Sequence, residues 1–305
     1  MTASVDRFQG CVLGLALGDA MGAPFEGGIP ERLLWRVIGK TRRGEMRWSD
    51  DTQMSIDVIE SLLVRERVDP DDLAVRFAQS YRWSRGYGPG TAKVLGRIAR
   101  GIDWREANRS VYRNGSLGNG AAMRAPIIGL AFLNRPNELD DAARQSAMPT
   151  HAHTIGLESA VLIARATASA ARGDAPIQIL QYAIAGCSQE QFLSRSVIAS
   201  EWLIANAAVS IREVTSRLGF RVSAHESCVT AVYLALRFLD QPFLDLQKFI
   251  AMGRGDVDTI GAMAGAIWGA ARGANALPAE QLQILEQGER LALLAASLHQ
   301  KHMRR

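Results

Sequence analysis

Two short acidic stretches carry the residues best suited to chemistry: Ser49-Asp50-Asp51-Thr52 and Gly255-Asp256-Val257-Asp258-Thr259. Each pair of carboxylates is flanked by hydroxyls, and each stands directly before a segment of helical pattern. Such residues have two elementary uses. A Ser, Thr or Asp at a helix start accepts backbone N–H groups of the first turn, worth about 1 kcal/mol. Carboxylates delivered to a crowded interior instead need protons, cationic partners or a metal, because buried unpaired charge is costly. Oxygen donors without sulfur or imidazole suit Mg²⁺, Mn²⁺ or Ca²⁺. Four carboxylates around one point repel unless divalent ions offset them. Paired ions about 3.5–4 Å apart are a common device for polarising an oxygen and activating water.

Other polar residues are less specific. Glu26 lies in the glycine- and proline-rich turn Gly22–Gly28, where a carboxylate is either solvated or turned toward a site. Two glycine loops, Ser84–Thr91 and Asn114–Gly120, allow close approach of backbone amides to a ligand. The first is not a GxxxxGK[ST] loop and follows no strand, which argues against a nucleoside triphosphate site; taken alone, a plain turn is the better reading. The second feeds a helix start, a natural place for an anion. His151 and His153 precede a helix, but no cysteine cluster or HExxH motif accompanies them, so zinc is disfavoured. A ligand-contacting or capping role suits His151 better.

These residues need a scaffold, and the chain supplies a helical one. Its 305 residues are 48% hydrophobic and 22% charged, enough for a sizeable core. Strand signals are scarce, and no repeat, linker or low-complexity tract interrupts the chain, which predicts one all-α domain over residues 1–305. Periodicity places helices at about Val5–Met21, from Thr52 to Arg65, at Pro70–Tyr81, Ala121–Leu133 and Ile155–Ala171. Further helices span Ala175–Gly186, Gln191–Leu218 with a break, Ala224–Leu239, Phe243–Met252, Ile260–Ala271 and 278–299; residues 29–48 read as irregular. Gly10, Gly14 and Gly18 recur every four residues on the first helix, which predicts a neighbour packed closely against it. The Ile260–Ala271 helix is equally lean and predicts packing on several sides.

The net charge is +4 and the isoelectric point about 9.2, but Lys and Arg are dispersed. The clusters Lys40–Arg43 and Lys301–Arg305 read as solvated loop and tail rather than a nucleic-acid face. Nucleic acid is therefore disfavoured as a partner without being excluded. Cys11, Cys187 and Cys228 are odd in number and lack CxxC spacing, as in a reducing compartment. No leader pattern or membrane-spanning apolar run is evident, so the expected location is cytoplasmic.

In order, Asp6–Cys11 with Leu17-Gly18-Asp19 and Glu26, Ser49–Thr52, Gly118–Arg124, Thr150–Ala152 and Gly255–Thr259 resemble the ADP-ribosylglycohydrolase family. The motifs run through nearly the whole chain. Ala74–Tyr81, Arg85–Gly88 and Glu226-Ser227 are more similar to the third subtype of ADP-ribosylhydrolases, which removes O-linked ADP-ribose. The resemblance implies a single orthogonal multi-helix domain and a hydrolase with two Mg²⁺ ions, Mn²⁺ being possible. Ser49, Asp50, Asp51, Asp256, Asp258 and Thr259 would hold the ions. Glu26 would gate the site on a mobile loop and, with Asp258, serve catalysis, while Asp19 would support that loop from behind. Gly86, Gly88, Gly115, Ser116, Asn119 and His151 would line the ADP-ribose cleft. The implied substrates are ADP-ribosylated protein and O-acetyl-ADP-ribose, with no membrane partner.

Three positions depart from the family pattern. Ser49 replaces the usual Thr and keeps the oxygen. Arg254 replaces a usual Gly; it would pair with a carboxylate, contact substrate phosphate or point outward. Leu117 stands where the serine-directed subtype has an adenine-stacking Tyr, a role Tyr112 would have to fill. The Gly88-Pro89-Gly90 loop lacks the Asp usual in arginine-directed members. Arginine-linked ADP-ribose, a modified nucleic-acid base and a non-catalytic ADP-ribose-binding role stand as the alternatives.

Overall fold

Gly10, Gly14 and Gly18 on α1 (Val5–Gly22) face Gly269, Gly265 and Gly261 on α15 (Val257–Arg272). The two lean helices foreseen in the sequence are each other's neighbours. A methyl group at Gly10, Gly14 or Gly18 would overlap the carbonyl oxygen of the facing glycine, so the backbones touch without intervening side chains. The pairing is antiparallel and sets α1 in one register on α15, with Gly22 against Asp258.

The computed structural model describes residues 3–302. Among them are seventeen α-helices, five short 3₁₀ turns and no β-strand, so the fold is all-α. After α1 come α2 (Ile29–Ile38), α3 (Asp50–Arg65), α4 (Pro70–Ser80), α5 (Pro89–Ile98), α6 (Trp104–Val111), α7 (Ala125–Ala131) and α8 (Pro136–Ala147). Then follow α9 (Thr154–Arg172), α10 (Pro176–Ile184), α11 (Glu190–Ile204), α12 (Ile211–Arg217), α13 (Cys228–Arg237) and α14 (Phe243–Ala251). Beyond α15 lie α16 (Ala279–Gln283) and α17 (Gly288–His302). α15 is packed by α1, α9, α13 and α14, and α17 closes over α1 and α3. One continuous apolar core runs from Ala3 to Leu298. Cys11 and Cys228 are buried and Cys187 is half-buried, all as free thiols. No described helix is long and apolar enough to cross a membrane.

Several boundaries differ from the sequence reading, for local reasons. Residues 29–38 are helical, although among the described side chains there only Trp35 is buried, while Leu33 and Val37 stay exposed. The helix expected from Ala121 starts at Ala125, because Asn119–Ala121 form a 3₁₀ turn tied to Val222 and Pro126 sits in the first helical turn. The expected break in Gln191–Leu218 falls between α11 and α12, where Ser210 and Glu213 form a capping box. The C-terminal segment is also broken, and its Ile284–Gln287 connection pairs with Met46.

Candidate active site

The register of α1 on α15 decides where the acids meet. With Gly22 against Asp258, the turn Ala23–Phe25 carries Glu26 toward the start of α15, and the Glu26 and Asp258 carboxyls are hydrogen-bonded. On the inner side of α1, Asp19 is fully buried. Its carboxylate accepts Ser49 N–H at 2.8 Å, Thr52 N–H at 3.0 Å and the Thr52 hydroxyl at 2.5 Å. Asp19 therefore anchors the first turn of α3. Thr259 Oγ1 donates to Asp51 Oδ1 at 3.4 Å and links the two acidic stretches.

Two carboxylate groups result. Asp19, Asp51 and Asp258 bring oxygen atoms within 4.8 Å of one another, as do Glu26, Asp256 and Asp258. Asp258 belongs to both. Asp50 is half-buried beside them and faces Gly86, with Oδ1 3.9 Å from where a Cβ at Gly86 would lie. Ser49 is the N-cap of α3, its hydroxyl accepting Asp51 N–H at 3.3 Å. Capping and clustering thus coincide at the first stretch. At the second, the Asp256 side chain makes no cap bond; it accepts the Asn119 amide, whose other bond goes to Ser227 Oγ at 3.0 Å.

Burial and mutual repulsion hold these acids toward their protonated forms. Asp256 is pushed up to about 7 by burial and then by Glu26, and Asp19 to about 6 by burial. Asp50, Asp51 and Asp258 are raised well above the usual carboxylate range, first by burial and then by their acidic neighbours. Asp51 Oδ2 is buried without a hydrogen-bond partner. Asp19, Asp50, Asp51, Asp256 and Asp258 form no ion pair with a described Lys or Arg. An orphaned carboxylate oxygen among six acids, all offering oxygen only, fits hard divalent cations.

The cluster forms one wall of a cleft of about 220 Å³. Gly86, Gly88, Ser116, Asn119 and His151 line it, together with Tyr112 and Val222. Gly115 does not: at φ 79° it packs against the backbone of Ala152 and His153, where a side chain would collide, so its part is to let the loop pass. Leu117 is also absent from the lining, whereas Tyr112 is present. A larger depression of about 1000 Å³ between Thr41–Glu45 and Leu282–Ala292 holds none of the clustered carboxylates. The chemistry therefore marks the smaller cleft.

His151 is buried and neutral, its pKa lowered to about 3 by burial and by Arg124. Arg124 is itself buried over Phe77 and donates from Nη2 to Thr150 Oγ1 at 2.9 Å. Thr150 Oγ1 lies 2.8 Å from His151 Nδ1. The Thr150 hydroxyl also has Ala147 O as an acceptor at 3.5 Å, so this contact fixes the ring's orientation and not its tautomer. His151 thus presents Nε2 of a neutral ring beside Gly118 and Gly120.

Arg85 was legible in the sequence only as part of the Arg85–Gly88 motif, and Glu286 not at all. Their side chains form a buried bidentate pair at 2.7 and 2.8 Å. Arg85 also donates to Trp48 O at 2.7 Å and stacks on the Trp48 ring, while Trp48 Nε1 donates to Glu286 O at 2.9 Å. The clasp joins the residue before Ser49, the residue before Gly86 and the connection ahead of α17. An Arg next to a glycine loop hinted at a role; nothing local pointed to Glu286.

Comparison with known proteins agrees with this geometry. The ADP-ribosylglycohydrolase family model matches residues 1–305. ADP-ribosylhydrolase ARH3 of Homo sapiens is 33% identical, over 97% of this chain and 93% of that protein. ADP-ribosylhydrolase ARH3 of Danio rerio is 33% identical over 90% of this chain and 85% of its own. A solved structure described as an ADP-ribosylglycohydrolase-related protein complex superimposes with a TM-score of 0.66 at 28% identity, covering 98% of this chain and 99% of the other. With the match extending over the whole chain, the protein belongs to the ADP-ribosylglycohydrolase family of hydrolases.

Proposed function

We propose that the protein is a Mg²⁺-dependent hydrolase that releases ADP-ribose from O-linked conjugates, on serine or as O-acetyl-ADP-ribose. The observation that carries this reading is the convergence of Glu26, Asp50, Asp51, Asp256 and Asp258 on one wall of the cleft, all of them oxygen donors. The relatives named ADP-ribosylhydrolase ARH3 support the substrate class.

Ser49, Asp50, Asp51, Asp256, Asp258 and Thr259 would hold two divalent ions, Mg²⁺ or Mn²⁺. Such ions supply charge neutralisation and Lewis acidity toward sugar hydroxyls and water. The bond from the anomeric carbon to the conjugate oxygen breaks, water oxygen takes its place, and positive charge develops on the ribose. Glu26 and Asp258 move the proton from the attacking water toward the leaving oxygen. Asn119 holds Asp256 and has no free donor of its own for substrate. Amides near Gly86, Gly88 and Ser116, with the neutral His151 ring, receive the diphosphate. Gly88-Pro89-Gly90 offers no carboxylate to pair with a guanidinium leaving group, which favours the O-linked substrates over arginine.

The test is release of free ADP-ribose from serine-linked, O-acetyl and arginine-linked substrates in parallel, with Mg²⁺ and with EDTA. Mg²⁺-dependent release from the serine or acetyl substrate is the expected result. Release from arginine alone would overturn the linkage, and ADP-ribose binding without any release would leave a binding protein.

A further inference from the structure

Arg254, the departure from the family pattern beside the second acidic stretch, pairs with none of the acids. It is exposed and lines a separate groove of about 540 Å³ together with Arg221 and Arg212. The three arginines come from three segments: α12, the loop after it, and the turn before Asp256. No carboxylate lines the groove, and none of the three guanidiniums has an ion-pair partner among the described residues. Glu213, next to Arg212 in sequence, is committed to Ser210, accepting its N–H at 2.9 Å and its hydroxyl at 2.7 Å.

The groove shares a wall with the active-site cleft. Asp256 N–H donates to Phe220 O at 3.1 Å, and Asn119 N–H donates to Val222 O at 2.9 Å. Val222 lines the cleft, whereas its neighbour Arg221 lines the groove; Asp256 lines the cleft, whereas Arg254 lines the groove. The acids of that wall mark the end of the cleft where the conjugate bond would break. The groove and that end of the cleft are built on the same two backbone segments, 220–222 and 254–256.

We propose that the groove binds an acidic polypeptide segment flanking the modified residue. Unopposed guanidiniums from separate segments repel one another, and each presents a fork matched to a carboxylate. Ile211 and the exposed Met252 add apolar surface suited to a peptide side chain. The one aromatic residue in the lining, Phe220, is only 2% exposed, so the groove has no platform on which a base would stack. That absence favours a peptide over a nucleic acid or a nucleotide polymer. The inference takes its meaning from the hydrolase reading, but the binding is measured without it.

The experiment is fluorescence anisotropy on the full chain with three labelled probes. These are an unmodified peptide of alternating Glu and Leu around a central Ser, the same peptide with Gln for Glu, and an oligothymidylate of matching charge. The acidic peptide is expected to bind about tenfold more tightly than its Gln counterpart, and to weaken with added salt. Arg254→Gly and Arg221→Ala each lower that affinity by about three- to tenfold, while release of ADP-ribose from O-acetyl-ADP-ribose is unchanged. Unchanged peptide affinity in the double variant overturns the proposal. Tighter binding of the oligothymidylate through the same arginines overturns the peptide assignment and makes the groove a nucleic-acid site. If no conjugate is hydrolysed and arginine-dependent peptide binding persists, the groove stands and the hydrolase reading falls.

Discussion

The Asp19 carboxylate holds Thr52 twice, at its amide and at its hydroxyl, 3.0 and 2.5 Å away. A residue of α1 therefore fixes the first turn of α3 and the direction of Asp50 and Asp51. Because α1 is registered on α15 by the glycine contact, the two acidic stretches are located relative to each other through Asp19.

Asp19→Asn keeps the shape and removes the charge, turning one acceptor oxygen into a donor aimed at N–H groups. Misplaced partners of this kind lower metal affinity about 10- to 100-fold. Titration of Mg²⁺ followed by thermal unfolding reads this as a rightward shift of the stabilisation curve. A curve superimposable on that of the parent protein would show that Asp19 does not position the cluster.

Neutralising Asp256 and Asp258 together, as Asp→Asn, removes two members of the cluster and abolishes hydrolysis. The same change relieves repulsion among buried acids, so in EDTA the variant unfolds at a higher temperature than the parent. Mg²⁺ stabilises the parent by mass action, by about 2.7 kcal/mol at a hundredfold excess over Kd, and leaves the variant unmoved. Persistent turnover in the variant refutes the metal-dependent mechanism.

Glu26→Gln leaves the cleft wall intact and takes away the proton carrier. Turnover is expected to fall about 10²- to 10⁴-fold, with ADP-ribose affinity within a few-fold of the parent. Calorimetric binding beside single-turnover kinetics separates the two effects. Parallel losses in both would reduce Glu26 to a substrate-positioning residue.

Glu286→Ala strands Arg85 in a buried place against the Trp48 ring. Breaking one side of a buried pair costs about 3–5 kcal/mol, measured by urea unfolding in EDTA. Because Arg85 adjoins both Trp48 and Gly86, the Mg²⁺ requirement and the KM for substrate rise together. Glu286→Gln, which keeps one acceptor oxygen for the guanidinium, recovers part of both. If Glu286→Ala lowers stability alone, the clasp serves folding and not the site.

Much of the fold and site was legible in sequence because the relevant forces are local. Apolar spacing at helical period marks the helices, and acids at two helix starts mark the oxygen cluster. Glycines at four-residue spacing announce a close neighbour, since the penalty of each glycine in a helix has to be offset by contact. Harder to read were the boundaries, such as the late start of α7 and the helix over residues 29–38, where tertiary ties and not periodicity set the ends.

Pairing was beyond reach of any local signal. That the Gly10–Gly18 stripe meets Gly261–Gly269, that Asp19 serves Thr52, and that Asn119 is spent on Asp256 all join residues distant in the chain. Glu286 reaches Arg85 across 201 positions. Such contacts form where helices cross, and crossing depends on shape complementarity summed over the whole core. The identity of the chemical groups is written along the chain, whereas their distances, burial and depressed or elevated acidities arise when packing excludes water from around them. Arg254 shows the division most simply: the chain supplies a guanidinium two residues from Asp256, and the turn of the folded backbone directs it into a different groove.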